Sequence, residues 1–215
     1  MLESINKKIS VIDYGIGNIS NVLAAIDHCG GDGKVITTYN EIEESDYLVL
    51  PGVGAFKYAM EQLISKNMVE AIKDHILGEK PFLGICLGMQ LMLEKSYEFG
   101  EIDGLGIIKG NVISIKSKQL DASNFKIPHI GWNKLIQNKN VNSIYSGLLD
   151  KKYMYFVHSY YANCDDQNNI IASTDYNEIL MPAMIRHNNS YGCQFHPEKS
   201  GLNGLNIIKR FLDEK

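Results

Sequence analysis

Four short apolar runs in the first part of the chain each end near a turn, and helical patterns follow them. The runs are "ISVIDY" (9–14), "KVITTY" (34–39), "YLVLPGVGAF" (47–56) and "PFLGIC" (81–86). Strands that alternate with helices along a chain build a mostly parallel sheet with helices packed on it. This part of the chain therefore predicts an α/β fold with a doubly wound sheet.

Helical spacing follows the first run at Ile19, Val22, Leu23 and Ile26. We also expect helix from about 55 to 77 and over "LGMQLMLEKS" (87–96).

The second half contains short β runs with no helices between them: "NVISIK", "GWNKLI", "YMYFVHSYYA", "IIASTD", "AMIRH" and "YGCQFH". They predict a more antiparallel extension of the same sheet. An amphipathic helix carrying Leu205, Ile208 and Leu212 is expected at the end. Because the sequence has no linker-like segment and no repeat, we expect one domain over residues 1–215.

Composition excludes several classes of protein. The net charge of −4 comes without a basic run, which argues against a nucleic-acid partner. No apolar stretch approaches membrane-spanning length, and "MLESINKKIS" lacks the apolar core of a signal peptide. The four cysteines contain no CxxC pair, so we expect free thiols, no metal site and a cytoplasmic location.

A cysteine stands where the fourth run ends, in "FLGICLGMQL" (82–91), with glycines two residues before and after it. Such glycines are typical of a strand-to-helix elbow that holds a nucleophile on a tight turn. The N-terminus of the next helix would favour the thiolate of Cys86. Cysteine is also a common core residue, so the elbow alone leaves both interpretations open.

A thiol nucleophile needs a base, and the base needs an orienting partner. Of the six histidines, His196 in "QFHPEKS" (194–200) is followed at two residues by a carboxylate. On an extended segment His196 and Glu198 project to the same side, and Pro197 between them discourages a helix. The motif predicts an oriented base; a surface histidine–glutamate pair is the alternative.

Attack on an amide also needs donors for the negative oxygen that forms. The elbow offers the backbone N–H of Leu87. "PGVG" (51–54), also at a strand end, can bring a second backbone N–H close because Gly52 and Gly54 have no side chain.

These loops resemble the class I (triad) glutamine amidotransferase family through "PGVGAF", "GICLGMQ" and "QFHPEKSG". With "DYGIGN" (13–18), "PHIGWN" (128–133) and "YFVHSYY" (155–161), the resemblance narrows to the glutaminase subunit of imidazole glycerol phosphate synthase. It covers nearly the whole chain and implies a single-domain, three-layer α/β fold with no cofactor.

The resemblance implies that Cys86 attacks the side-chain amide of glutamine while His196, oriented by Glu198, moves protons. Ammonia and then glutamate leave by way of a γ-glutamyl thioester. Leu87 and the Gly52–Val53 peptide match the oxyanion hole of the family, and the latter peptide is expected to need reorientation.

Positions that bind substrate or partner are implied in the same way. Those for glutamine are Gln90, Glu98 and the backbone of Ser159 and Tyr160. The implied partner is a (β/α)₈-barrel synthase subunit that makes imidazole glycerol phosphate and aminoimidazole carboxamide ribotide for histidine biosynthesis. Its contacts would be Asn18, Trp132, Tyr155 and Lys199, although core packing is the rival interpretation of Trp132.

Other interpretations stay open. Residues 1–7 and the glycine-rich "CGGDGKVI" (29–36) depart from the family pattern and leave room for a paralogue that supplies ammonia for amidination of a surface sugar. "GIGNIS" (15–20) resembles a dinucleotide-binding turn but lacks its third glycine. A non-catalytic binding module and another cysteine hydrolase, such as a peptidase, are the remaining alternatives.

Overall fold

The computed structural model describes residues 7–118 and 126–214 of the chain. Residues 1–6, 119–125 and 215 lie outside this part. They include most of the N-terminal segment for which no signal peptide is predicted, and they belong to the single domain predicted over residues 1–215. In the described residues, no helix is long and apolar enough to cross a membrane.

Strands and helices alternate through the first half of the described chain. In chain order the strands are β1 Ile9–Ile12, β2 Gly33–Ile36, β3 Tyr47–Gly52, β4 Phe82–Cys86, β5 Leu93–Ser96, β6 Ile102–Asp103, β7 Ile108–Ser114, β8 His129–Gln137, β9 Tyr153–His158, β10 Tyr160–Cys164, β11 Ile170–Tyr176, β12 Ile179–His187 and β13 Ser190–Cys193. The α-helices are α1 Ile19–His28, α2 Tyr39–Glu43, α3 Phe56–Ser65, α4 Met68–Leu77, α5 Leu87–Leu91 and α6 Gly201–Leu212.

Nine strands form the large sheet, in the order β2-β1-β3-β4-β13-β12-β11-β8-β9. The first five strands in this order, from β2 to β13, run parallel to one another. Each neighbouring pair from β13 to β9 is antiparallel. This arrangement confirms the predicted α/β sheet with its antiparallel extension. Strand β13 comes late in the chain yet lies beside β4, with Cys193 opposite Ile85.

The side chains of β3 alternate between two hydrophobic layers. Leu48 and Leu50 belong to the layer with helices α2 to α5, and Tyr47 and Val49 to the layer with α1 and α6. Because successive side chains of a strand point to opposite faces, a continuous apolar run such as this one fits a sheet covered on both sides.

The helix predicted over residues 87–96 is wrong in its second half. Helix α5 ends at Leu91, and strand β5 follows, with Leu93 paired to Ile108 and Lys95 to Asp103. Pairing within a second sheet, ordered β10-β7-β5-β6, outweighs the helical spacing here. Glu94 and Lys95 therefore lie on a strand and not on a helix.

Two further boundaries differ from the sequence-based expectation. The predicted strand at 34–39 stops at Ile36, because Thr38 and Glu41 form a capping box that starts α2. The predicted run "YMYFVHSYYA" breaks at Ser159, with β9 in the large sheet and β10 in the small one. Ser159 thus lies where the chain passes from one sheet to the other.

Candidate active site

A cavity of about 590 Å³ lies at the carboxyl ends of β3 and β4, where functional loops of parallel sheets are expected. Residues singled out from the sequence form part of its wall: Val53, Cys86, Leu87, Gln90, Glu98, Ser159, Tyr160 and His196. The structure therefore brings together residues from five separate segments of the chain.

Cys86 ends β4 in a left-handed backbone conformation, with φ 54° and ψ −105°, and α5 begins at the next residue. The flanking glycines allow this turn to pack tightly. A Cβ on Gly88 would lie 1.9 Å from the carbonyl oxygen of Leu50, and one on Gly84 would lie 2.6 Å from that of Gly88. A non-glycine residue with such a backbone costs about 1–3 kcal/mol and is typical of functional sites.

Polar groups surround the thiol of Cys86. Its Sγ accepts a hydrogen bond from Nε2 of Gln194 across 3.7 Å and lies 4.0 Å from the carbonyl oxygen of Val157. The side chain is nearly buried but lines the cavity, so a substrate in the cavity could reach its sulfur.

His196 and Glu198 form a buried pair in which Nδ1 of the imidazole lies 2.8 Å from Oε1 of the carboxylate. The extended segment expected here is wrong, since β13 ends at Cys193 and Pro197–Lys199 forms a 3₁₀ turn. The proline begins this turn, and the turn brings the two side chains together. Because the carboxylate only accepts, Nδ1 carries the proton toward it.

The other imidazole nitrogen of His196, Nε2, is buried and has no hydrogen-bond partner among the described residues. Burial lowers the pKa of His196, but interactions with Cys86 and Glu198 outweigh it and raise the pKa to about 9. His196 therefore favours its charged form at neutral pH, and Nε2 is the atom able to exchange a proton.

The expected oxyanion donors lie at the ends of two adjacent strands, because Leu87 follows β4 and the Gly52–Val53 peptide ends β3. Gly52 is paired with Cys86, and a Cβ on Gly52 would come within 3.0 Å of the Cβ of Leu87. Val53, the next residue, is 40% exposed and borders the cavity. The hydroxyl of Tyr14 donates to the carbonyl oxygen of Pro51 across 2.9 Å and holds this loop from behind.

Glu98 is buried in the cavity wall. Its Oε2 accepts a hydrogen bond from the backbone N–H of Phe56 at 2.7 Å. Among the described residues no cation pairs with it. A buried carboxylate without a cation suits a positively charged group of a ligand.

Gln90 and the backbone of Tyr160 are joined directly. The amide Nε2 of Gln90 donates to the carbonyl oxygen of Tyr160 and to Oε1 of Gln194, both at 2.9 Å. The carbonyl oxygen of Ser159 accepts from the N–H of Ile115 at 3.0 Å. The Ser159–Tyr160 segment is thus held from both sides.

Gln194 and Ser200 are among the residues of the site that sequence reasoning missed. Gln194 is fully buried and contacts Cys86, and Ser200 accepts from the N–H of Tyr155 while donating to the carbonyl oxygen of His196. They begin and end the motif "QFHPEKS" (194–200), so their place in the same motif as His196 was the available signal.

The expected partner contacts lie on the surface. Trp132 is 55% exposed, so core packing is wrong for this residue, and it pairs across the strands with half-buried Tyr155. Lys199 is exposed on the 3₁₀ turn, and helix α1, which follows Asn18, packs against that turn. In the described chain no three His, Cys, Asp or Glu side chains are grouped to hold a metal ion.

Comparison with solved structures shows the same fold in distant proteins. A crystal structure of a glutamine amidotransferase has a TM-score of 0.72 at 14% identity, covering 95% of this chain and 97% of that one. A glutamine amidotransferase from Thermotoga maritima has a TM-score of 0.62 at 16% identity, covering 97% of this chain and 83% of that one.

Comparison of sequences is more specific. The model of the family "Glutamine amidotransferase class-I" matches residues 10–215. The chain is 45% identical to imidazole glycerol phosphate synthase subunit HisH 1 of Legionella pneumophila, over 95% of this chain and 98% of that protein. It is 47% identical to the HisH subunit of Lactococcus lactis, over 97% and 99%. The chain therefore belongs to the class I glutamine amidotransferase family and, within it, to the HisH subunits of imidazole glycerol phosphate synthase.

Proposed function

We propose that this chain is the glutaminase subunit of an imidazole glycerol phosphate synthase in histidine biosynthesis. The observation that carries the proposal is the arrangement of Cys86 on a strained elbow within the cavity that His196 also lines, with Glu198 bonded to the imidazole. Its relatives at 45% and 47% identity carry the name of that enzyme.

In the first step, the sulfur of Cys86 attacks the side-chain carbonyl carbon of glutamine. The negative oxygen that forms is stabilised by the N–H of Leu87 and by the Gly52–Val53 peptide once that peptide points its N–H into the cavity. These groups border the sulfur from α5 and from the neighbouring strand β3.

His196 then gives the proton of Nε2 to the leaving nitrogen, so that ammonia departs and a γ-glutamyl thioester remains. The carboxylate of Glu198 supports the charged imidazole before this transfer. In the second step, neutral His196 takes a proton from water, the hydroxide attacks the thioester carbon, and glutamate leaves as the thiolate re-forms.

Glutamine is oriented by its amino-acid end. The carboxylate of Glu98 is positioned to accept the α-ammonium group, and the backbone of Ser159 and Tyr160 to bind the α-carboxylate. Both groups line the cavity with Cys86, which supports one bound substrate spanning them. A peptide amide has neither free group at that end, which favours glutamine over peptides.

Ammonia passes to a (β/α)₈-barrel subunit that docks on the outer face of β8 and β9. Exposed Ile130, Trp132 and Tyr153 lie on the same face of these two strands, and β9 is the edge strand of the large sheet, which supports a partner surface. Val157, on the outer side of β9, also borders the cavity near Cys86. We place the reaction in the cytoplasm, where the four free cysteines stay reduced.

The decisive experiment combines the chain with its co-encoded barrel protein, glutamine and the phosphoribulosyl-formimino nucleotide. We expect glutamate and imidazole glycerol phosphate in equal amounts, and neither product from glutamine with Cys86→Ala, although added ammonia should restore the synthase product. Glutamate without that product would overturn the acceptor and point to another partner, such as a sugar-amidinating enzyme. Unchanged hydrolysis by Cys86→Ala would overturn the mechanism.

A further inference from the structure

Two buried histidines face each other next to the cavity, and the steps above use neither. His129 on β8 and His158 on β9 are directly opposite in the strand register, and Nδ1 of His129 lies 3.0 Å from Nε2 of His158. His158 also lines the cavity. A contact between two ring nitrogens in a buried place requires one of them to donate and the other to accept.

The neighbours of the pair determine where each proton resides. Nδ1 of His158 lies 2.9 Å from the carbonyl oxygen of Tyr160, which only accepts, so this nitrogen carries a proton. Nε2 of a neutral His158 must then accept from Nδ1–H of His129. Burial lowers the pKa of His129 to about 4 and that of His158 to about 3, which agrees with two neutral rings.

The rings are also held in place sterically. His129 is stacked between Phe156 and Tyr176, with ring centroids 4.9 Å and 4.0 Å away. Its Nε2 lies 3.5 Å from the amide nitrogen of Asn133, which is itself fixed by a 2.7 Å hydrogen bond to the carbonyl oxygen of Asp175. The donor direction from Asn133 through both rings to Tyr160 is therefore fixed.

This direction ends on the substrate-binding backbone. The carbonyl oxygen of Tyr160 receives one hydrogen bond from His158 and a second, also at 2.9 Å, from Gln90. Gln90 in turn donates to Gln194, whose amide reaches the sulfur of Cys86. The orientation of Tyr160 thus directly affects the backbone proposed to bind the α-carboxylate. It also affects the nucleophile indirectly, because the hydrogen bonds from Gln90 to Gln194 and from Gln194 to Cys86 continue from Tyr160.

We propose that His129 and His158 are positioning residues of the glutaminase reaction, which as a pair hold the Tyr160 carbonyl and so the backbone that binds the α-carboxylate of glutamine. This inference rests on the proposed function, because it assigns a role within that same site. Losing the pair weakens binding in the ground state and the transition state alike, so KM rises more than kcat falls.

The test compares His158→Leu with His158→Asn in the complex with the barrel subunit. The asparagine amide can occupy the position of Nδ1 and donate to Tyr160, whereas leucine cannot. We expect His158→Leu to raise the KM for glutamine about tenfold, the loss of one buried hydrogen bond, with kcat changed less than about threefold. His158→Asn should recover most of that KM.

A second measurement uses the wild-type chain alone. Long-range ¹H–¹⁵N spectra at neutral pH should show both rings neutral with the proton on Nδ1. A proton on Nε2 of His158, or a wild-type KM in folded His158→Leu, would overturn the inference. If His158→Leu does not fold, His129→Leu, which removes only the donor to His158, is judged by the same KM criterion. Failure of the wild-type complex to hydrolyse glutamine would instead reject the proposed function.

Discussion

Nδ1 of His196 lies 2.8 Å from Oε1 of Glu198, and both side chains are almost completely removed from solvent. A carboxylate so close to an imidazole supports its charged form, and the pKa of His196 is raised to about 9 by its interactions with Cys86 and Glu198. The charge of Glu198, and not only its shape, should therefore matter for proton transfer to the leaving ammonia.

Glu198→Gln keeps the size of the side chain but removes its charge. We expect kcat for glutamine to fall by about 10²–10⁴-fold with a smaller change in KM, since the charged imidazole loses its support. The pKa of His196 should fall as well, which the pH dependence of Cys86 alkylation by iodoacetamide would detect. A wild-type kcat in this variant would contradict the role of the carboxylate.

Gly88→Ala should destabilise the elbow. The added Cβ would lie 1.9 Å from the carbonyl oxygen of Leu50, and neither backbone segment can move without disturbing the centre of the sheet. We expect a loss of about 3 kcal/mol or more in the free energy of unfolding, measured in urea. Gly78→Ala is the matched control, because its Cβ would meet only ordinary contacts and should change stability little.

Buried neutral histidines should make the protein sensitive to acid. Burial lowers the pKa of His75 to about 4, so below pH 6.5 the unfolded chain takes up a proton that the folded chain does not. Stability should therefore fall as the pH drops from about 6.5 to 4, by up to about 1.4 kcal/mol per pH unit for each such histidine.

His75→Gln tests this dependence by removing one titrating group. The slope of unfolding free energy against pH should become shallower between pH 4 and 6.5, whatever the stability of the variant at neutral pH. The exposed His28→Gln serves as the control and should leave the slope unchanged. Parallel slopes for wild type and His75→Gln would contradict the prediction.

Trp132 should report the partner directly, because it is the only tryptophan of the sequence and is 55% exposed. If the proposed barrel subunit covers it, its fluorescence should shift to shorter wavelength. Trp132→Ala should weaken that complex about tenfold or more without lowering the melting temperature. Leu77→Ala, at an exposed position on α4, should leave the affinity as it is.

Glu98→Gln should raise the KM for glutamine by about 10–100-fold, the cost of a charge-assisted hydrogen bond in a buried place. The same substitution should matter much less for 4-carbamoylbutyrate, which lacks the α-ammonium group. An equal loss with both substrates would show that Glu98 acts through the N–H of Phe56 and not through the substrate.

Local spacing was enough to predict the parallel half of the sheet and the elbow at Cys86, because each depends on a short stretch of chain. It failed over β5, where Leu93 pairs with a strand that comes later in the sequence. It also left Trp132 undecided, since the exposed face of β8 becomes visible only when β8 and β9 are seen together at the end of the antiparallel extension. The contact of Gln194 with Cys86 spans 108 residues and has no local signature.

The position of β13 between β4 and β12 has a consequence for synthesis on the ribosome. Strand β4 follows its neighbour β3 closely in the sequence, but its other neighbour, β13, is made about a hundred residues later, together with the segment that carries His196. A growing chain therefore presents Cys86 long before its base exists. An incomplete chain therefore lacks the groups needed to hydrolyse glutamine, and the catalytic site is assembled only when the last strand, β13, joins the sheet.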